Sequence, residues 1–406
     1  MSLIRNELSI RKIKKINYLE NNAIVGAEIK NRRISKSQTL EALADRVCST
    51  SYLCKIEKNK IEPNKAFLRE ICSRLELSDE KVDYLFELGE ILNRVVKAYN
   101  MKDYSYIEYA FEGGMGFKNY RYNIIKMIYY ITQKDITNAL IVQKELISIC
   151  SNMSDCDLST FAVFSAILAE MRYDFKEALD NVELVDESCL SLDLSILKNI
   201  VEFEAHFAQN LHDTPIYYEK AKKVLFETEY YKIVAKLNYL ISLYYIKNNC
   251  EHSYEMVQGR INDRKMINSL SAIKAFYDNN ISILVNYDDN ELNAFALTLK
   301  KICTDTEKAL ELLKVYNKDY YSCEYDGLFL EYLVCGNSTD KYNYIFEKGL
   351  PIASKANDMF LCNYFLFELS KMPRSAKNRS LTRAYALIYG NSFRIGDFEL
   401  MKYEEN

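Results

Sequence analysis

Along most of this chain apolar residues recur at the three- and four-residue spacing of helices that bury one face. Ile124, Met127, Ile128 and Ile131 make one stripe, and Phe161, Phe164, Leu168 and Met171 another. Leu197, Ile200, Phe203 and Phe207 make a third, interrupted by Glu204. Val234, Leu237, Ile241 and Tyr244 follow, then Ile273, Phe276, Tyr277 and Leu284. Polar breaks at Gln133–Asp135, Tyr173–Asp174, His212–Asp213, Asn248–Asn249 and Asp288–Asp289 separate them, about every 36–40 residues. Several breaks lead into a short run ending in Ala, as in Asp135–Ala139 and Asp174–Ala178. The pattern predicts stacked helix pairs from about residue 101 onward, six or seven of them.

Nearer the N-terminus the helical patterns are shorter and closer together. Ile24, Val25 and Ile29 begin a first helix that runs to about Arg33. After the loop 34–38, the hydroxyl of Thr39 is placed to cap a second helix whose apolar side is Leu40, Leu43 and Ala44. Val47-Cys48-Ser49 forms a turn, with Ser49 the next cap, and a third helix continues through Tyr52–Ile56 to Asn59, a residue suited to a left-handed end. Pro63 opens a fourth helix through Phe67, Leu68, Ile71 and Leu75. Two short helices joined by a tight turn inside a four-helix domain describe a helix-turn-helix, and small Ala44 lets its helices approach closely. Val82, Leu85, Phe86, Leu88, Leu92 and Val95 stripe a helix over Ser78–Tyr99 that reads as a connector to the repeats. Residues 1–23 carry Arg5, Arg11, Lys12, Lys14 and Lys15, and read either as an accessory helix or as a basic arm.

Composition supports an all-helical reading. The 11 Gly and 4 Pro are far fewer than β-sandwiches, propellers or phosphate-loop enzymes use, while 33 Tyr and 19 Phe supply a large core and exclude disorder. Eleven scattered cysteines without a C-x-x-C pair, beside only three histidines, predict free thiols and neither a metal nor a cofactor. No apolar run approaches the roughly 18 residues of a membrane span and no signal-peptide core is present, so a cytoplasmic protein without membrane contact is expected. With no G-x-S-x-G and no convergent acid, base or nucleophile, an enzyme is not expected. Charge is divided: residues 1–77 hold 16 Lys/Arg against 9 Asp/Glu, and the other 329 hold 37 against 48. A basic head on an acidic body directs the head to a polyanion.

The head resembles the xenobiotic-response-element family of helix-turn-helix proteins, through Gly26-x-x-Ile29-x-x-x-Arg33, Thr39-x-x-x-Leu43-Ala44, Ser51-Tyr-Leu-x-Lys-Ile-Glu57 and Pro63. Leu40 and Arg32 depart from it, where the family often has Gln and an aliphatic residue. The resemblance implies that Arg33 pairs with Glu57 and that the third helix enters the DNA major groove. Thr50, Ser51 and Lys55 would then read bases, with Tyr52 against backbone or a thymine methyl. Gln38, Thr39 and the N-terminus of the second helix would meet phosphate, and Ser49 counts among the DNA-contacting residues. Lys36, Lys58 and Lys60 would add sequence-blind attraction.

The repeats are similar to degenerate tetratricopeptide repeats, whose period is close to the spacing of the breaks. Head and repeats together resemble the RRNPP group of peptide-pheromone-sensing regulators. That resemblance implies a quorum-sensing homodimer on an inverted-repeat operator, with a short signalling peptide held in the repeats. Residues 1–77 would be the DNA-binding domain, 78–100 a linker helix, and 101–406 the peptide-sensing and dimerising domain. Asn can donate to and accept from a peptide main chain, which nominates Asn123, Asn199, Asn238 and Asn280 (or Asn279), with Phe207, Tyr244 and Tyr245 as apolar pockets. Solvated or capping Asn is the plainer reading of the same residues. A phage-type repressor that uses its repeats only to dimerise, and an adaptor that captures a protein on them, are the alternatives.

Overall fold

The computed structural model describes residues 23–372 except 58–60, 62–64, 118, 151–152, 227, 229, 279 and 317–323; Lys58, Asn59, Lys60, Pro63, Asn279 and the basic segment 1–22 lie outside it. Among the described residues there is no strand, and the fold is all-α, an N-terminal group of short helices followed by helix pairs in an α-solenoid arrangement. The chain divides into two compact units, Met1–Val201 and Glu202–Asn406.

The first unit begins with α1 (Ala23–Ser35), α2 (Leu40–Ala44), α3 (Thr50–Glu57) and α4 (Lys65–Arg74). Thr39 caps α2 by accepting from the Ala42 N–H at 3.1 Å, and Ser49 accepts from Tyr52 N–H at 3.1 Å. Ile29, Leu43, Ala44, Leu53, Ile56, Leu68, Ile71 and Leu75 are buried together as the head's core. The link from α2 to α3 is longer than the sequence pattern suggests, five residues from Asp45 to Ser49, with Arg46 left-handed at φ 58°. Next comes α5 (Asp79–Met101), which continues from the head and is also the first helix of a pair with α6 (Tyr104–Gly113). The pairs α7 (Tyr120–Thr132) with α8 (Ile136–Ile149), and α9 (Asp155–Glu170) with α10 (Phe175–Val182), complete the unit together with the start of α11 (Leu192–Ala208). First helices pack on first helices, α5 on α7 and α7 on α9, so each pair buries its apolar face against its neighbours.

Head and repeats are in contact within this unit. Helix α1 touches α5, and the Arg32 guanidinium lies 5.9 Å from the Phe117 ring centroid, itself stacked at 5.8 Å on Tyr84. At Arg32, the departure from an aliphatic residue adds a cation–π attraction to the Phe117 ring. Gly113 leaves room for the Tyr84 ring, and Gly114 for that of Tyr122. A Cβ on Gly114 would stand 2.1 Å from Tyr122 Cδ2, so Gly114→Ala should lower stability by about 1–3 kcal/mol, read as a drop in urea midpoint at unchanged slope.

Deeper in the first unit, Arg121 of α7 and Asp157 of α9 form a buried ion pair, Nε to Oδ2 2.8 Å and Nε to Oδ1 3.0 Å. The Asp157 carboxylate also accepts from Tyr120 Oη at 2.9 Å and Ser154 Oγ at 2.7 Å. Burial, with Asp157 beside it, pushes the Tyr120 hydroxyl well above its ordinary range, so it remains a donor.

The second unit, from Glu202, continues α11 and pairs it with α12 (Thr214–Phe226), followed by α13 (Tyr231–Lys247) with α14 (Glu251–Gln258) and α15 (Arg264–Tyr277) with α16 (Ile281–Val285). After them come α17 (Ala294–Thr304), α18 (Thr306–Tyr316), α19 (Glu324–Leu333), α20 (Ser338–Tyr344), α21 (Leu350–Ala356) and α22 (Met359–Lys371). Again α13 packs on α15 and α15 on α17.

One turn recurs throughout. Lys102, Lys134, Tyr173, Asn210 and Asn249 are left-handed, and the N–H of the next residue reaches back five positions, as in Asp135 to Tyr130 O at 2.9 Å and Cys250 to Tyr245 O at 2.9 Å. This is the Schellman closure of a helix end, made here without glycine. The first four breaks seen in the sequence fall within two residues of these turns. The fifth does not: α15 ends at Tyr277, Asn280 N–H reaches back to Ala275 O at 2.7 Å, and Asp288–Asp289 sits in the 3₁₀ turn before α17. The stripe Ile273–Leu284 thus spans two helices, because α16 is only five residues long.

Candidate nucleic-acid interface and peptide site

Helix α3 buries Leu53, Ile56 and Glu57 and leaves Thr50, Ser51 and Lys55 exposed. Ser51 and Lys55 are four apart and share a face, with Thr50 adjoining it at the helix start, where the dipole favours an anion. Ser49, also exposed, uses its hydroxyl as the cap. Tyr52 is half-buried, its ring edge-on to Phe67 at 6.1 Å.

Arg33 sets the position of this helix. Its Nε and Nη2 donate to Glu57 Oε1 at 2.6 Å and Oε2 at 2.8 Å, while Nη1 donates to Gln38 O at 2.9 Å. One guanidinium from α1 therefore holds the end of α3 and the entry to α2, and donating to the Glu57 carboxylate raises its proton affinity further. Gln38 contributes that carbonyl, and its amide Oε1 is buried without a hydrogen-bond partner among the described residues. Thr39 is exposed and occupied as a cap. Lys36 Nζ lies 2.7 Å from Glu76 Oε2 and holds that carboxyl below its ordinary range by hydrogen bonding. Phosphate contact by Lys36 would have to compete with this partner.

Two residues at the motif escaped the sequence reading. Arg46 stands in the turn before α3 with its side chain 89% exposed; a cation between the two short helices was the available signal. Arg74 of α4 donates to Asp45 O at 2.5 Å and Leu43 O at 3.4 Å, contacts that no local pattern reveals.

The residues nominated for a peptide divide between the two units. In the first, Asn123 is half-buried on α7, and Asn199 on α11 donates to Ser195 O at 2.7 Å, a bond within its own helix. In the second, Asn238 of α13 is buried, and its Oδ1 accepts from Tyr218 Oη at 2.7 Å, tying α12 to α13. Burial pushes the Tyr218 hydroxyl up to about 12. Tyr244 is buried, Tyr245 is half-buried, and their rings meet edge-on at 5.7 Å. Phe207 is half-buried with Lys247 Nζ 5.6 Å from its ring; the same ammonium lies 5.7 Å from Phe360. Asn280 is corrected in placement. It lies exposed in the turn between α15 and α16, where its Oδ1 accepts from Ser282 Oγ at 2.9 Å, and not on a first helix of a pair. Other amides mark the helix ends here: Asn210 and Asn248 exchange bonds at 3.2 and 2.8 Å, and Asn357 donates to Gln209 Oε1 at 2.9 Å.

No group of His, Cys, Asp and Glu able to hold a metal occurs among the described residues, and no described helix is long and apolar enough to cross a membrane. No protein-family model matches the chain, and no curated protein matches it. Among solved structures, the apo form of the competence regulator ComR from Streptococcus vestibularis is similar at 14% identity and a TM-score of 0.30, covering 72% of this chain and 99% of that chain. At that distance the likeness carries no functional argument, and the reading of function rests on the residues themselves.

Proposed function

We propose that this protein is a sequence-specific DNA-binding transcriptional regulator, a homodimer whose operator affinity changes when a short signalling peptide occupies its repeats. The observation that carries the reading is α3. A helix with a polar, open N-terminal face is anchored at its far end by Arg33 and Glu57, within a segment holding 16 basic residues against 9 acidic. Such a helix offers Thr50, Ser51 and Lys55 to base edges while caps and cations meet phosphate. Residues 1–77 are the DNA-binding domain in this proposal, 78–100 the joint, and 101–406 the sensing and dimerising region. A dimer would place its two heads about one turn of duplex apart. Peptide that prefers one conformation of the repeats shifts operator affinity by its differential binding to the two. Asn123 and Asn199 in the first unit, and Phe207 and Tyr245 in the second, are each partly exposed. Asn238 and Tyr244, nominated with them, are buried.

Electrophoretic mobility on the duplex upstream of the protein's own coding sequence, with and without short synthetic peptides from neighbouring reading frames, tests both parts. Retarded DNA whose mobility responds to one peptide is the expected result. Absence of binding to any duplex at low salt ends the DNA reading; binding indifferent to every peptide leaves a repressor without a peptide sensor.

A further inference from the structure

Helix α2 has five residues, a single turn, too short to hold its shape unaided. The helix-turn-helix geometry, and so the angle at which α3 is presented, depends on what fastens that turn from outside. On the entry side the fastener is Arg33, through Gln38 O. On the exit side it is Arg74, whose Nη1 donates to Asp45 O at 2.5 Å and Leu43 O at 3.4 Å. These are carbonyls at the C-terminal end of α2, which lack partners within the helix. The positive guanidinium also suits the negative end of the helix dipole. Glu70 Oε1, one turn back on α4, lies 3.6 Å from Arg74 Nε and steadies the side chain. Val47 and Cys48 N–H both close on Ala44 O at 3.0 Å directly beneath this grip, and Ser49 follows as the cap of α3.

We infer that Arg74 is a positioning residue for the DNA-reading helix: by gripping the turn between α2 and α3 it sets the alignment that discriminates one duplex sequence from another. It touches no base in this role. The inference rests on the DNA-binding reading, and it separates two quantities that the reading alone does not. Attraction to phosphate comes from exposed charge and tolerates a loosened turn, whereas base readout demands placement of Ser51 and Lys55 within hydrogen-bond tolerance.

The test uses the full chain and a pool of duplexes with randomised sequence. The wild-type protein is first used to enrich a preferred sequence, and affinity is then compared for that sequence and the unselected pool. Arg74→Ala should bind the unselected pool within about threefold of wild type at low salt, because most of the charge remains. Its preference for the enriched sequence should fall about tenfold or more, the scale of losing one or two base contacts. Arg74→Lys, with one compact ammonium in place of a fork, should fall between. Hydrogen exchange should accelerate at Val47 and Cys48 with α1 unchanged. An Arg74→Ala protein that keeps the wild-type preference, or that loses preference and pool affinity in equal proportion, overturns the assignment. If Arg74→Ala does not fold, Arg74→Lys decides by the same ratio. Should the wild-type chain bind no duplex at all, the DNA reading fails by itself, and unchanged Val47 and Cys48 exchange in the variants would separately refute the grip.

Discussion

Asp157→Ala is expected to destabilise the Met1–Val201 unit by about 3–5 kcal/mol, the cost of leaving a buried cation without its counter-charge. The substitution removes the carboxylate paired with Arg121, whose side chain is 9% exposed, and an acceptor of both Tyr120 and Ser154. Replacing Arg121 and Asp157 together by apolar residues of similar volume should restore most of the loss, since the pair's desolvation disappears along with its attraction. Urea unfolding followed by circular dichroism reads both results. An Asp157→Ala midpoint within error of wild type would show that the network does not brace the unit.

Glu57→Ala is expected to have the next largest effect, concentrated in the head. Arg33 would lose its two-point partner while 13% exposed, a cost of about 3 kcal/mol. That is a large share of what four short helices can hold in reserve. Hydrogen exchange should become fast across α1 to α4 while α9 stays protected, and binding to the upstream duplex should be lost at physiological salt. Full protection of the head in this variant would remove Arg33 and Glu57 from the account of how α3 is held.

The architecture was legible because helix stripes and polar breaks are local. Ile124, Met127, Ile128 and Ile131 share a buried face for the reason their spacing suggests, and Asp135 and Asp174 cap the helices that follow them. What stayed hidden is non-local. Arg121 and Asp157 are 36 residues apart, and nothing in either neighbourhood names the other. Arg74 binds backbone oxygens, which carry no sequence signature. Asn280 falls in a turn and not on a first helix, because the helix after it has five residues and is too short to show a period. At the candidate DNA face, exposed positions of α3 follow from its buried ones, but the engagement of Lys36 by Glu76 does not.

The left-handed turns at Lys102, Lys134, Tyr173, Asn210 and Asn249 carry a consequence for how this protein can change over time. A side chain in that conformation costs on the order of 1 kcal/mol where glycine would cost little. At the exposed Lys102 and Lys134 a glycine would relieve that strain, offset in part by the freedom it adds to the unfolded chain. A lineage drawing on this relief could absorb destabilising substitutions elsewhere in the helix pairs without losing its fold.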